Sequence, residues 1–285
     1  MLNNPIDHMR VYVDGQPNFF TFFNTMDGVL WMDPGQHNVE VLATDKDGNN
    51  VSSSFNVNVV APQNPDTTEI QNMPGWQQCS AKFPPGNPRA GQICAAGLGD
   101  AVSQMIQNQS SPSLSGSSAK FTMGGPNRYT NELYYKALGG GRNISHFIYD
   151  LSFYIDDPDV VQALEFDVNQ TFDNKRWVFG TECNFRDTGK WDVWDGLNGW
   201  QPTSVACKPF PAKTWIHLIW TFERVGDQVH YISLQINDQT YNLDRYQNRE
   251  KYWPMEDINV AFQMDGDFEQ DPFNVWLDNV KLTAW

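Results

Sequence analysis

From residue 119 onward, apolar and polar side chains alternate with a period of two. The segments "HFIYDLSFYI", "QALEFDVNQ", "KRWVFGTEC", "KWDVWDG", "TWIHLIWTFERV", "QVHYISLQIND", "QTYNLD", "EDINVAFQMDGD" and "NVWLDNVKLTAW" all follow it. This period belongs to half-buried β-strands, whose successive side chains point to opposite faces. The inward phases are Phe147, Tyr149, Leu151 and Phe153; Ile216, Leu218, Trp220 and Phe222; His230, Ile232, Leu234 and Ile236; and Ile258, Val260, Phe262 and Met264. About ten or more such strands predict an all-β fold built as a two-sheet jelly roll.

Residues 6–61 alternate in shorter runs: "HMRVYVDG", "FFTFF", "GVLWMD", "HNVEVLATD" and "SFNVNVV", separated by Gly, Asp and Asn turns. Short strands at this spacing predict a small β-sandwich. The stretch "GQHNVEVLATDKDGNNVSSSFNVNVV" resembles bacterial immunoglobulin-like domains, which implies a spacer or platform role. A Pro/Asn/Thr-rich linker follows. The expected organisation is therefore a sandwich over 1–61, a linker over 62–74 and a jelly roll over 75–285. Residues 75–118 carry little periodicity, and "GDAVSQMIQ" reads as one short helix.

Composition narrows the partners. Thirty-four acidic against nineteen basic residues give a net charge of −15, the wrong sign for nucleic acid or an anionic membrane, both of which are bound through Lys and Arg. No stretch approaches the ~20 apolar residues of a spanning helix, which argues against membrane insertion. The N-terminus "MLNNPIDHMR" lacks the apolar core of a signal peptide, consistent with a cytosolic protein or a trimmed chain. The four cysteines favour the second reading. Cys79 and Cys94 bracket a Pro/Gly-rich loop and Cys183 and Cys207 a Gly/Trp-rich one, a spacing that predicts two local disulfides and an extracellular location. Oligomeric state is left open.

Candidate chemistry centres on "QALEFDVNQ", residues 162–170. Leu164, Phe166 and Val168 share one side of the strand, and Glu165, Asp167 and Asn169 the other. Strand order, strand length and the closing "VWLDNVKL" resemble the concanavalin A-like lectin/glucanase superfamily over residues 73–285. Within it, Glu165-Phe-Asp167-Val-Asn169-Gln170 is similar to the E-x-D-x-x-E signature of retaining endo-β-glucanases. That resemblance implies Glu165 as nucleophile and Asp167 as its hydrogen-bonding helper. An amide, Asn169 or Gln170, stands where the family carries its acid/base Glu, and an amide releases no proton near neutral pH. A replacement acid from a neighbouring strand is expected in Glu182 or Asp192, a wider pair that suits an inverting mechanism.

Four tryptophans nearby, Trp177, Trp191, Trp194 and Trp200, are candidates for stacking on sugar rings. Trp191 and Trp194, three apart, must face opposite ways on a regular strand. Asn169, Gln170 and Gln263 are candidate glycan contacts. Asp265 and Asp267, in "FQMDGDFEQD", are candidates for a structural calcium; Asp265 also shares a phase with Asn259 and Gln263 and can extend a glycan-binding face. No cofactor is expected otherwise. His146 and His217 sit in no ligand or nucleophile pattern. Two functions follow with polysaccharide as partner, an endo-β-glycan hydrolase or a non-catalytic glycan binder; a cell-surface adhesive protein is a third class, which rests on the immunoglobulin-like module.

Overall fold

The computed structural model describes residues 5–22, 24–26, 28, 30, 32, 34–59, 66–80, 101–208, 210–250 and 256–285, with the side chains of 79 and 80 excepted. It is all-β and antiparallel. The N-terminal strands β1 (Ile6–Val13), β2 (Gln16–Thr21), β3 (Gly35–Asp45) and β4 (Asn50–Val59) form a four-stranded sheet in the order β2-β1-β3-β4. The expected strand at "GVLWMD" is absent at the described positions 28, 30 and 32, and a second sheet that would close a sandwich does not occur among the described residues. Val11, Phe19 and Val39 form a small core that is joined by Met26, Leu30 and Met32 and, from the larger unit, by Ala137.

The remaining strands are β5 (Asp66–Thr67), β6 (Gln77–Ser80), β7 (Val102–Gln109), β8 (Ser118–Gly124), β9 (Asn131–Gly139), β10 (His146–Ile155), β11 (Val161–Phe172), β12 (Lys175–Phe179), β13 (Thr181–Asn184), β14 (Lys190–Asp195), β15 (Gly199–Ala206), β16 (Trp215–Val225), β17 (Gln228–Ile236), β18 (Gln239–Asn248), β19 (Asp257–Gly266) and β20 (Phe273–Ala284). They make two sheets. One runs β18-β17-β16-β10-β20-β8-β7 with β5 on β20; the other runs β15-β14-β13-β11-β19-β9-β6 with β12 on β11. Among the described residues no helix is long and apolar enough to cross a membrane.

The core lies between these sheets. Phe147, Tyr149, Leu151 and Phe153 of β10 and Leu218, Trp220 and Phe222 of β16 meet Leu164, Phe166 and Val168 of β11 and Val260, Phe262 and Met264 of β19, all fully buried. Each such side chain contributes about 1.5–3 kcal/mol relative to exposure, so a one-residue slip of any central strand would forfeit its whole inward set. The β11–β12 register is set by a two-residue turn in which Asp173 (φ 52°) and Asn174 (φ 58°) are both left-handed, the geometry that matches strand twist.

Two sequence expectations change here. "GDAVSQMIQ" contributes to strand β7, not a helix: Ser103, Met105 and Gln107 are partly buried while Gln104 and Ile106 are exposed, and pairing with β8 overrides local helix preference. The inward phase of β17 is also not the one expected. A bulge between Tyr231 and Ser233 switches it, so Val229, Tyr231 and Leu234 enter the core while His230 stands on the outer face. The Cys183–Cys207 disulfide is present with Cα atoms 5.5 Å apart, joining β13 to the residue after β15. The expected Cys79–Cys94 bridge lies outside the described residues.

Candidate functional site

The outer face of the β11 sheet gathers acids that the chain spreads over a hundred residues. With Leu164, Phe166 and Val168 in the core, Glu165, Asp167 and Asn169 must face outward. Antiparallel register sets Gln263 of β19 on one side of Glu165 and Glu182 of β13 on the other, and Asp192 of β14 lies beyond Glu182. A row Gln263–Glu165–Glu182–Asp192 thus crosses four adjacent strands. Side chains directly opposite one another have Cβ atoms about 4.5–5.5 Å apart. One step along, Asp265 lies across from Ala163, which in turn pairs with Asn184.

The row is buried: Glu165 is 9% exposed, Glu182 4% and Asp192 1%. Gln263 ties it together, its Nε2 donating to Glu165 Oε1 and, at 3.0 Å, to Asp265 Oδ1. Asp167 accepts from the Thr181 N–H at 3.0 Å, and Asp192 from the Thr188 hydroxyl at 2.9 and 3.0 Å. Arg176 is the cation next to Asp167, and it also donates to Asn169 Oδ1 at 3.1 Å and pairs with Glu250 at 3.3 Å.

Carboxylates removed from water and set beside one another resist ionisation. Burial, followed by the charges of Asp265, Asp167 and Glu182, pushes Glu165 well above the ordinary carboxyl range. Burial, with Asp265, Asp192 and Asp167, pushes Glu182 up to about 9. Asp167 rises to about 7 through burial, held back by the Thr181 N–H and Arg176. Asp265 also rises to about 7, again through burial first. Asp192 is raised by burial against the Thr188 hydroxyl. Near neutral pH the cluster therefore holds protons, and a protonated carboxyl both donates and accepts hydrogen bonds.

The structure separates the four tryptophans. Trp177 stacks on Phe172 at 4.7 Å and donates to Gly226 O at 3.1 Å; Trp191 packs against Trp220 at 5.6 Å. Both lie in the core, so neither offers a ring to a ligand, because their strand phases match the apolar inward set. Trp194, in phase with Asp192, and Trp200, opposite it on β15, lie on the outer face at the sheet edge. They are half-buried, with ring centroids 5.2 Å apart. Gly180 permits this packing, since a Cβ there would stand 2.9 Å from the Cβ of Trp194.

The amides divide too. Asn169 stays on the acid face but is bound on both ends, donating to Asn259 Oδ1 at 3.0 Å and accepting from Arg176. Gln170 turns to the opposite side, where it donates to Gly141 O and Ile144 O at 2.8 Å and accepts from Arg224 Nε at 2.8 Å, so it is structural and no glycan contact. Asp265 joins the acid cluster, whereas Asp267 accepts from the N–H groups of Glu269 and Gln270 and pairs with Arg186 at 3.5 Å. The two do not converge, and among the described residues no group of three His, Cys, Asp or Glu is placed to hold a metal ion.

Strand phase places Arg176 on the side of Glu182, and the structure makes it the cation beside Asp167. Sequence reasoning missed one feature. Tyr129 and Phe268, exposed at 46% and 58% with rings 6.0 Å apart, flank the strand ends next to Asn131 and Asp265. They come from two loops far apart in the chain, and no local pattern links them.

No protein-family model matches the chain. No curated protein matches it in sequence. Several solved structures resemble it at low identity. A carbohydrate-binding module of the β-sandwich superfamily superposes with a TM-score of 0.39 at 10% identity, covering 98% of this chain and 85% of that one. Peanut lectin with a nine-residue peptide gives 0.39 at 10%, covering 66% and 99%. The lectin UEA-II complexed with galactose gives 0.39 at 11%, covering 77% and 98%. Likeness at this level carries no residue roles across.

Proposed function

We propose that this is an extracellular polysaccharide-binding protein that meets its glycan on the outer face of the β11 sheet, with the N-terminal four-stranded sheet as a platform. The observation that carries this reading is the row Gln263–Glu165–Glu182–Asp192, which ends two residues from the Trp194–Trp200 pair. Protonated carboxyls and amides suit sugar hydroxyls, which also donate and accept, and a half-buried indole suits the apolar face of a pyranose. Affinity electrophoresis on a panel of plant and microbial glycans tests it. Retention on at least one polysaccharide is expected, with Trp200→Ala weakening it about tenfold, or about 1.4 kcal/mol. Retention unchanged in both Trp200→Ala and Glu165→Gln would sink the proposal.

Hydrolysis is the second reading, favoured by one observation. Glu165 and Glu182 are direct cross-strand neighbours on the same face, so their carboxyl groups can approach to the ~5–5.5 Å of a retaining pair. Glu182, held protonated, would donate to the glycosidic oxygen as the bond to the anomeric carbon breaks and Glu165 attacks that carbon; water would then release the sugar and restore the Glu182 proton. This chemistry needs Glu165 ionised, and burial opposes that, so binding takes precedence. New reducing ends that vanish in both Glu165→Gln and Glu182→Gln would reverse the order.

A further inference from the structure

We infer that the groove between the two edge strands β6 and β7 is a second saccharide site, one that takes an uncharged pyranose chain. β6 ends one sheet of the sandwich and β7 ends the other. Between them lies a cavity of about 370 Å³ lined by Trp76, Gln77, Gln78, Ser103, Gln104 and Gln107, with Gly75, Met105 and Tyr134 completing it. That volume falls at the small end of the ~300–1,000 Å³ typical of ligand pockets.

The lining chemistry sets the ligand class. Charged residues make up 19% of the chain, yet none of the described residues that line this groove is charged. A charged sugar entering it would lose hydration with no counter-charge to meet, and a neutral one would not. Four glutamine amides and a serine hydroxyl each donate and accept, as sugar hydroxyls do. Trp76 is held for stacking: its Nε1 donates to Ile70 O at 2.9 Å and its ring meets Phe121 edge-on at 6.0 Å, leaving the side chain half-buried. Gln107 Nε2 braces the wall, bonding Gln71 O and Met73 O at 2.8 Å.

Two further contacts favour a glycan over a peptide strand. Gln78 Nε2 donates to Ser103 Oγ at 2.5 Å, linking the two edge strands side chain to side chain and blocking an inserted strand. Tyr134, only 1% exposed, brings its hydroxyl close to Ser103 without a well-formed hydrogen bond. A buried hydroxyl in that state gains from a ligand hydroxyl.

Isothermal titration of the full chain with cellohexaose and laminarihexaose as neutral probes, and hexagalacturonate as the charged one, tests the site. The Trp200→Ala background weakens the acid face about tenfold, so that the groove is read against it. In that background one neutral hexasaccharide is expected to bind, Gln78→Ala/Gln104→Ala to weaken it about tenfold, and Trp76→Phe, which keeps the core filled, to weaken it further; hexagalacturonate is expected to give no heat. The inference falls if the Trp200→Ala variant binds no neutral probe, if the glutamine variants bind within about twofold of their parent, or if hexagalacturonate binds as tightly as the neutral probes. Glycan binding that Trp200→Ala and Glu165→Gln both leave untouched and the glutamine variants weaken would overturn the acid-face proposal and leave this one standing.

Discussion

The two outer faces of the sandwich both carry rows of acids and treat them in opposite ways. On the β10 sheet, Asp150 pairs with His217 at 2.7 Å and Lys281 at 3.3 Å, while Glu223 bridges His146 at 3.0 Å and His230 at 2.7 Å, and His230 reaches Asp244 at 2.9 Å. Several of these partners are substantially exposed, His146 at 41%, His217 at 43% and Asp244 at 71%. On the β11 sheet the acids are buried and face mainly one another. Each of these acids of the first face has a basic partner on a neighbouring strand, whereas on the second Arg176 is the cation beside Asp167. The first is a partly solvated ladder of acids and basic side chains, and the second a set of buried acids that burial keeps protonated.

The difference predicts an unusual pH dependence, the largest effect expected. In the unfolded chain the cluster acids ionise near pH 4; folded, Asp167 and Asp265 stay protonated to about 7 and Glu182 to about 9. The folded state then binds more protons than the unfolded one, so stability falls as pH rises from about 4 through 9. The loss is on the order of 1 kcal/mol per pH unit for each acid that remains protonated. Urea denaturation at pH 5, 7 and 9 measures it, and a stability that rises across this range would refute the picture of shared protons.

Replacing one acid sharpens the comparison. Glu182→Gln keeps the shape and removes a titrating group, so it should leave stability near its parent at pH 5 and raise it by about 4 kcal/mol at pH 9. An equal change at both pH values would mean that packing, not ionisation, governs the site. On the opposite face Glu223→Ala should cost only about 1 kcal/mol, with the loss shrinking in 1 M salt. Asp244→Ala, removing the most exposed member, should cost a few tenths of that, roughly 0.2–0.5 kcal/mol by thermal denaturation. A larger penalty at Asp244 than at Glu223 would invert the order expected along the exposed face.

How far these sites were legible in the sequence depends on the range of the forces that place them. Glu165, Asp167 and Asn169 could be assigned to one outward face from alternation alone, since Leu164, Phe166 and Val168 have nowhere to go but the core. The opposite orientations of Trp191 and Trp194 follow the same rule. Trp177 could not be told from a ligand platform by composition, because a tryptophan in the core and one on a surface read alike. Gln170 was equally ambiguous until Arg224, Gly141 and Ile144 supplied its hydrogen bonds. The helix expected at "GDAVSQMIQ" failed because an edge strand is held by its neighbour, β8, and not by its own propensity.

By itself the sequence determined the all-β class, the inward phases of β10, β11, β16 and β19, the Cys183–Cys207 pairing and the outward face of the acid strand. These depend on period two and on residues close in the chain. Tertiary structure alone decided that Glu165, Glu182, Asp192, Gln263 and Asp265 share one face, that His230 leaves the core at a bulge, and that β6 and β7 frame a groove whose described lining is uncharged. Register between strands far apart in sequence makes those choices, because it is the packed core as a whole, and no local pattern, that selects which strand lies beside which.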